Sequence, residues 1–153
     1  MYATRRGLLM GGAQLALFAF AAAAGLLKPI RALAAWNKAA FDTKDVASTV
    51  RALGGNAVTG SADIQVIAAE IAENGQVVPV RVVSRIPNTR SISILIERNP
   101  STLAASFDIP PGTEPDITTR IKMAETSNVY GVIEANGRYY KAAREIKVTL
   151  GGC

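Results

Sequence analysis

The 153-residue sequence contains no histidine and one cysteine, Cys153. Without histidine, the commonest general base, the usual nucleophilic triad and most zinc or haem ligation are lost together. One cysteine can neither close a disulfide within the chain nor form a Cys-x-x-Cys pair. No glycine-rich loop stands between a strand pattern and a helix pattern at nucleotide-binding spacing. The 12 acidic residues are scattered, mostly at strand ends or outward positions, as a solvated surface requires. These absences argue against an autonomous hydrolase or oxidoreductase: no catalytic residue, metal ligand or resident cofactor is expected in the chain itself.

Residues 1–34 read as an export signal that is cut from the mature protein. Thr4-Arg5-Arg6-Gly7-Leu8-Leu9 sets the twin arginine Arg5-Arg6 ahead of an uncharged run from Leu8 to Leu27. That is the pattern accepted by the twin-arginine translocase. Lys28 and Arg31 follow, and Ala32-Leu33-Ala34 offers a small-x-small cleavage site. About 20 apolar residues could instead span a bilayer as an uncleaved anchor. Pro29 and the Ala-x-Ala site fit the end of a cleaved signal better, and no cysteine lies there for lipidation. The expected location is the periplasm, with no membrane attachment after cleavage. Because this route passes folded proteins, the chain folds first or leaves bound to a folded partner.

The signal also carries most of the net positive charge. The whole chain has 17 basic and 12 acidic residues, and Arg5, Arg6, Lys28 and Arg31 are four of the basic ones, leaving 13 against 12. A balance near +1 does not make the clustered basic face that nucleic acid requires, so no nucleic-acid partner is expected.

The remainder, residues 35–150, has the length of one domain with a real core. From Phe41 to Gly55 the spacing of Val46, Val50 and Leu53 is helical, with Asp42 or Thr43 as cap and Gly54-Gly55 as stop. Trp36, just ahead, is expected to pack on the domain. After Gly60 the period changes to two. Ile64 to Ile71 and Val77 to Arg85 flank Asn74-Gly75, and Val129 to Glu134 and Arg138 to Ala143 flank Asn136-Gly137; Asn-Gly is a strong hairpin signal. Ile92, Ile94 and Ile96 alternate with Ser91, Ser93 and Leu95, which predicts a branched apolar row inward and the second row outward. Ala104 to Phe107, Ile117 to Met123 and a last strand through Ile146, Val148 and Leu150 complete roughly seven strands. One N-terminal helix followed by such strands predicts an all-β fold, an antiparallel β-sandwich of immunoglobulin-like type. The Cys and Trp pair of antibody domains is absent.

Residues 151–153 form the remaining feature. The strand pattern ends at Leu150, and Gly151 and Gly152 are expected to free the backbone ahead of Cys153. Three extended residues reach roughly 10 Å, enough to enter a partner's cleft. Glycine gives freedom of orientation and almost no bulk in a narrow channel. The arm holds no histidine, Lys or Arg to activate the thiol, so activation has to come from a protein that receives it. An odd cysteine in an exported protein implies intermolecular pairing or a free thiol. The residues alone leave open a carrier thiol, a disulfide between subunits, a frayed end and an appended conjugation handle.

Several stretches are more specific than the cysteine. Val78-Pro79-Val80, Asn99-Pro100, Leu103-Ala104-Ala105-Ser106-Phe107, the run Thr119 to Tyr130 (TRIKMAETSNVY) and Lys147 to Cys153 (KVTLGGC) together resemble the SoxY family, the sulfur-carrier subunit of the SoxYZ complex of bacterial thiosulfate oxidation. The resemblance runs from the twin-arginine signal to the Gly-Gly-Cys end. It implies a periplasmic heterodimer with a SoxZ-like sandwich subunit, exported on this chain's signal. It further implies that Cys153 is joined oxidatively to thiosulfate by a c-type haem enzyme. A manganese-dependent hydrolase then releases sulfate, and a molybdenum and haem sulfane dehydrogenase or another acceptor treats the remaining sulfur. On that reading the chain is a covalent substrate carrier and not an enzyme. The family's arm ends Gly-Gly-Cys-Gly-Gly, so two further glycines are expected after Cys153. The alternative from another class is a periplasmic structural or binding sandwich whose Cys153 staples two subunits.

Overall fold

The computed structural model describes residues 37–152; the signal segment, Trp36 and Cys153 lie outside them. The fold begins with two short helices where the sequence predicts one. Helix α1 (Lys38–Phe41) is capped by Asn37, whose side chain accepts from the Ala40 amide. The chain then breaks, and helix α2 (Val46–Ala52) starts at a new cap, Asp45, which accepts from the Ser48 amide at 2.8 Å. Asp45 succeeds as cap because its backbone is extended and Ser48 stands three residues on; neither Asp42 nor Thr43 takes that place. The predicted stop holds: Gly54 has φ +102°, Gly54 N–H donates to Arg51 O and Gly55 N–H to Val50 O. That is the Schellman pattern, which needs a residue free of a Cβ penalty.

Nine strands follow among the described residues. In chain order they are β1 (Val58–Gly60), β2 (Ile64–Ala68), β3 (Ile71–Ala72), β4 (Val78–Ser84), β5 (Thr89–Ile96), β6 (Leu103–Asp108), β7 (Asp116–Ile121), β8 (Ser127–Ala135) and β9 (Arg138–Val148). One open sheet runs β1-β9-β8-β5-β6, with β3 also pairing with β9; the other runs β2-β4-β7. Strand β1 and strand β3 lie parallel to β9, and the other pairings are antiparallel. The all-β sandwich expectation holds at this level.

The core lies between the sheets. Ile64, Val66, Val78, Val80, Val82 and Ile121 from one meet Ile92, Ile94, Ile96, Val129, Ile133 and Ile146 from the other. The opposite face of the larger sheet is also covered. Leu95, Leu103 and Val132 are buried there with Ala40 and Val50 of the two helices, and Tyr139 Oη donates to Leu53 O at 2.6 Å. The second row of β5 is therefore not solvent-facing: Leu95 is fully buried, and the buried Ser93 hydroxyl shares a 2.9 Å hydrogen bond with that of Ser106.

Two turns test the Asn-Gly expectation with opposite results. Asn136 and Gly137 have φ of 53° and 71°, as a two-residue type I′ hairpin requires, and they join β8 to β9. Strands β2 and β4 pair from Ile64 opposite Ser84 to Ala68 opposite Val80, but Asn74-Gly75 does not close that pair. Instead the chain leaves after Ala68 and crosses to β9, where Ile71 lies beside Lys147 and Ala72 beside Val148. Finally, the two last predicted strands are one 11-residue strand, β9.

Candidate functional site

The candidate site is built where β9 leaves the sandwich. Beyond Val148 the chain keeps its partners on both sides. On one side Lys147 N–H donates to Glu70 O (2.9 Å), Thr149 N–H to Ala72 O (3.1 Å), and Thr149 Oγ1 to Glu73 O (2.9 Å). On the other, Val148 N–H donates to Thr126 Oγ1 at 3.0 Å. The Lys147 ammonium and the Glu70 carboxylate pair across the same edge at 3.3 Å.

A closed circuit of backbone bonds then joins three segments that are far apart in sequence. Gly75 N–H donates to Leu150 O (2.7 Å), Met123 N–H donates to Gly75 O (2.7 Å), and Gly152 N–H donates to Met123 O (2.9 Å). The loop at 74–76 is shaped by Asn74, whose Oδ1 accepts from Gln76 N–H at 2.8 Å. The segment after β7 is held by Asn99: its Nδ2 donates to Lys122 O (2.8 Å), and its Oδ1 accepts from Ala124 N–H (2.9 Å).

Glycine has a steric reason at each point of this circuit. A Cβ at Gly75 would stand 2.3 Å from Met123 O and 2.9 Å from Gly152 N; one at Gly151 would stand 2.2 Å from Ala124 O; one at Gly152 would stand 2.0 Å from Gln76 N. These are backbone atoms, which cannot swing aside as a side chain can. Gly151 and Gly152 have a steric role beside the freedom expected of them. In this structure they are the residues thin enough to fit a slot between 74–76 and 123–124. The carrier-arm pair is thus brought against Gly75 and Met123, two residues that sequence reasoning did not connect with it. In the local sequence Gly75 reads as a hairpin residue and Met123 as the end of a strand; only the crossing of the 70s segment to β9 unites them.

The surface around the arm's root mixes exposed polar groups, among them Glu73, Gln76 and Thr149, with exposed apolar ones. Among the described residues the exposed large hydrophobics are Ile67, Ile71, Val77 and Leu150, and the last three lie on the two segments that meet at Gly75 and Leu150. Among the described residues no group of three or more His, Cys, Asp or Glu side chains could hold a metal ion, and no helix is long and apolar enough to cross a membrane. Arg5, Arg6 and Cys153 fall outside those residues.

Residues 50–153 match the family model described as "Sulfur oxidation protein SoxY". The chain belongs to the SoxY family. Among solved structures, the sulfur carrier protein SoxY from Chlorobium limicola f thiosulfatophilum aligns with 42% identity and a TM-score of 0.60, over 66% of this chain and 92% of that one. A superoxide reductase (neelaredoxin) from Ignicoccus hospitalis aligns with 24% identity and a TM-score of 0.49, over 56% of this chain and 79% of that one. No curated protein matches. The family's setting is sulfur oxidation, and the stretch that matches its model includes the slot residues Gly75, Met123, Gly151 and Gly152 as well as Cys153.

Proposed function

We propose that this chain is a periplasmic carrier of sulfur substrates in thiosulfate oxidation, with Cys153 as the point of covalent attachment and Gly151-Gly152 as its arm. The observation that carries this reading is the arm itself. The chain's one cysteine follows directly on two residues without side chains, where the longest strand of the sandwich runs off its end. Family membership and the 42% identical sulfur carrier support the cargo. The order β2-β4-β7 facing β9-β8-β5-β6 supports an immunoglobulin-like reading of the sandwich.

The chemistry divides between the chain and its partners. In loading, the Cys153 thiol loses its proton and an S–S bond forms to the outer sulfur of thiosulfate. The two electrons pass to a c-type haem enzyme, and the product is a cysteine S-thiosulfonate. Water then attacks the sulfone sulfur in a hydrolase, the bond between the two thiosulfate sulfurs breaks, and sulfate leaves a persulfide on Cys153. A sulfane dehydrogenase takes electrons from that sulfur while it stays on Cys153, or another acceptor takes the sulfur itself. The carrier contributes position: a thiol on a slender stem, with exposed apolar side chains at Ile71, Val77 and Leu150 near its root for the enzymes to meet. A SoxZ-like sandwich subunit is its proposed companion, and Arg5-Arg6 its address for export.

Intact mass tests this. The reduced protein, incubated with thiosulfate and the haem loading enzyme, gains an adduct that reduction removes and that Cys153→Ser abolishes. An unchanged mass, or an adduct surviving Cys153→Ser, overturns the reading. Non-reducing electrophoresis separates it from the stapling alternative, which requires a quantitative crosslink between subunits.

A further inference from the structure

The geometry points to a latch: the Gly151-Gly152 arm has a docked state on its own domain, seated between the loop 74–76 and Met123-Ala124, and Gly75 is the positioning residue that makes the seat. Three observations carry it. The backbone circuit Leu150 to Gly75, Gly75 to Met123 and Met123 to Gly152 closes with donor to acceptor distances of 2.7, 2.7 and 2.9 Å. The seat has no room for a Cβ at 75, 151 or 152, each of which would come within 2.3 Å of a backbone atom. The loop that makes it is held in shape by its own side chain, Asn74, and the opposite wall by Asn99.

The proposal rests on the carrier reading for what the arm bears, but the docking stands on the backbone geometry alone. With Gly152 seated, Cys153 is one residue beyond the last anchored position, a reach of about 3.5 Å. With the bonds of Gly75 and Gly152 broken, the free length begins near Leu150, and three residues reach roughly 10 Å. A shallow and a deep presentation of the same thiol thus differ by two backbone hydrogen bonds, Gly75 N–H to Leu150 O and Gly152 N–H to Met123 O. Opening is inexpensive, because each bond is replaced by one to water, and an enzyme that grips the freed arm and not the seated one favours the open state. A partner that needs the deep reach then sees an affinity reduced by the fraction of chains that are open.

Amide hydrogen exchange of the ¹⁵N-labelled protein, read by NMR without thiosulfate, tests the docked state. Gly75 and Gly152 amides are expected to exchange roughly tenfold or more slowly than an open chain, as local hydrogen-bonded structure does. Gly75→Ala is expected to return Gly152 to the open-chain rate while Ile94 and Val132 amides stay protected. Gly151→Ala, which meets Ala124 O without touching the 74–76 loop, gives the same result if Gly75→Ala fails to fold. With the haem loading enzyme, Gly75→Ala, which leaves the arm itself unchanged, is expected to load faster than the native chain, by up to the factor of protection lost at Gly152. A merely structural Gly75 would slow loading instead. A native Gly152 amide that exchanges at the open-chain rate overturns the latch, as does a Gly75→Ala chain that loses protection without loading faster. No loading in any form, with Gly152 protected, overturns the carrier reading and leaves the docked state standing.

Discussion

The backbone of Gly131 in β8 lies directly against the side chain of Val82 in β4: a Cβ added at Gly131 would stand 2.8 Å from Val82 Cγ1 and 3.2 Å from Val66 Cγ2. This is where the two sheets approach closely, and a missing side chain on one lets a branched one on the other reach full burial. Gly131→Ala is therefore an overpacking change, expected to cost about 1–3 kcal/mol in urea unfolding. Val82→Ala in the same background should recover part of that, so the two changes combine less than additively. Strict additivity would mean that the sheets adjust elsewhere.

Leu95 tests whether the outer face of the larger sheet is a true core. It is fully buried with Val50, Leu103 and Val132 under the helices. Leu95→Ala is expected to cost about 2–5 kcal/mol. A solvent-facing Leu95 would give a change within about 0.5 kcal/mol.

Thr102 is buried, its N–H donates to Thr43 O at 3.1 Å, and its hydroxyl has no hydrogen-bond partner. Removing an unpaired buried hydroxyl relieves its desolvation. Thr102→Val is expected to raise stability by on the order of 1 kcal/mol, measured by thermal or urea unfolding. A loss of stability would show that the hydroxyl is served.

Acid stability follows two carboxylates. Arg81 donates from Nε to Asp116 Oδ1 at 2.8 Å and from Nη2 to Oδ2; that hydrogen bonding, and then the guanidinium charge, holds Asp116 below the usual carboxylate range. The Ser48 hydroxyl, and then its amide, does the same for Asp45. A carboxylate lowered on folding stabilises fully above its unfolded value, about 3.9, and that stabilisation is lost as pH falls through the folded value. Asp45 is exposed and Asp116, itself partly buried, pairs with a half-exposed Arg81 at the surface, so the effect is small and weakens with salt. Asp116→Asn with Asp45→Asn should flatten the fall in stability between about pH 5 and 2; Asn at 45 still caps the helix. An unchanged acid limb would remove both groups from the account.

The sequence by itself determined the class of fold and its best-marked elements. Period-two runs with β-branched residues fall on β4, β5 and β7, because alternation is a local consequence of the pleat. Asn136-Gly137 closes its hairpin because both residues must have positive φ, a demand met within two residues. Gly54 ends α2 for the same kind of reason. The isolated thiol and its two glycines were also legible, since they depend on residue type and order alone.

Only the tertiary structure decided which faces and loops those elements serve. Leu95 looked outward because no local pattern shows that helices fold back over the sheet. Asn74-Gly75 carried the same dipeptide signal as 136–137, yet the preceding Ile71-Ala72 is drawn across to β9, 76 residues away in sequence at Ile71 and Lys147, and the dipeptide ends beside the arm. Gly151 and Gly152 likewise read as freedom when seen alone. Against Gly75, Met123 and Ala124 they read as fit, because a slot is made by backbone from three distant segments, and no window of sequence contains all three.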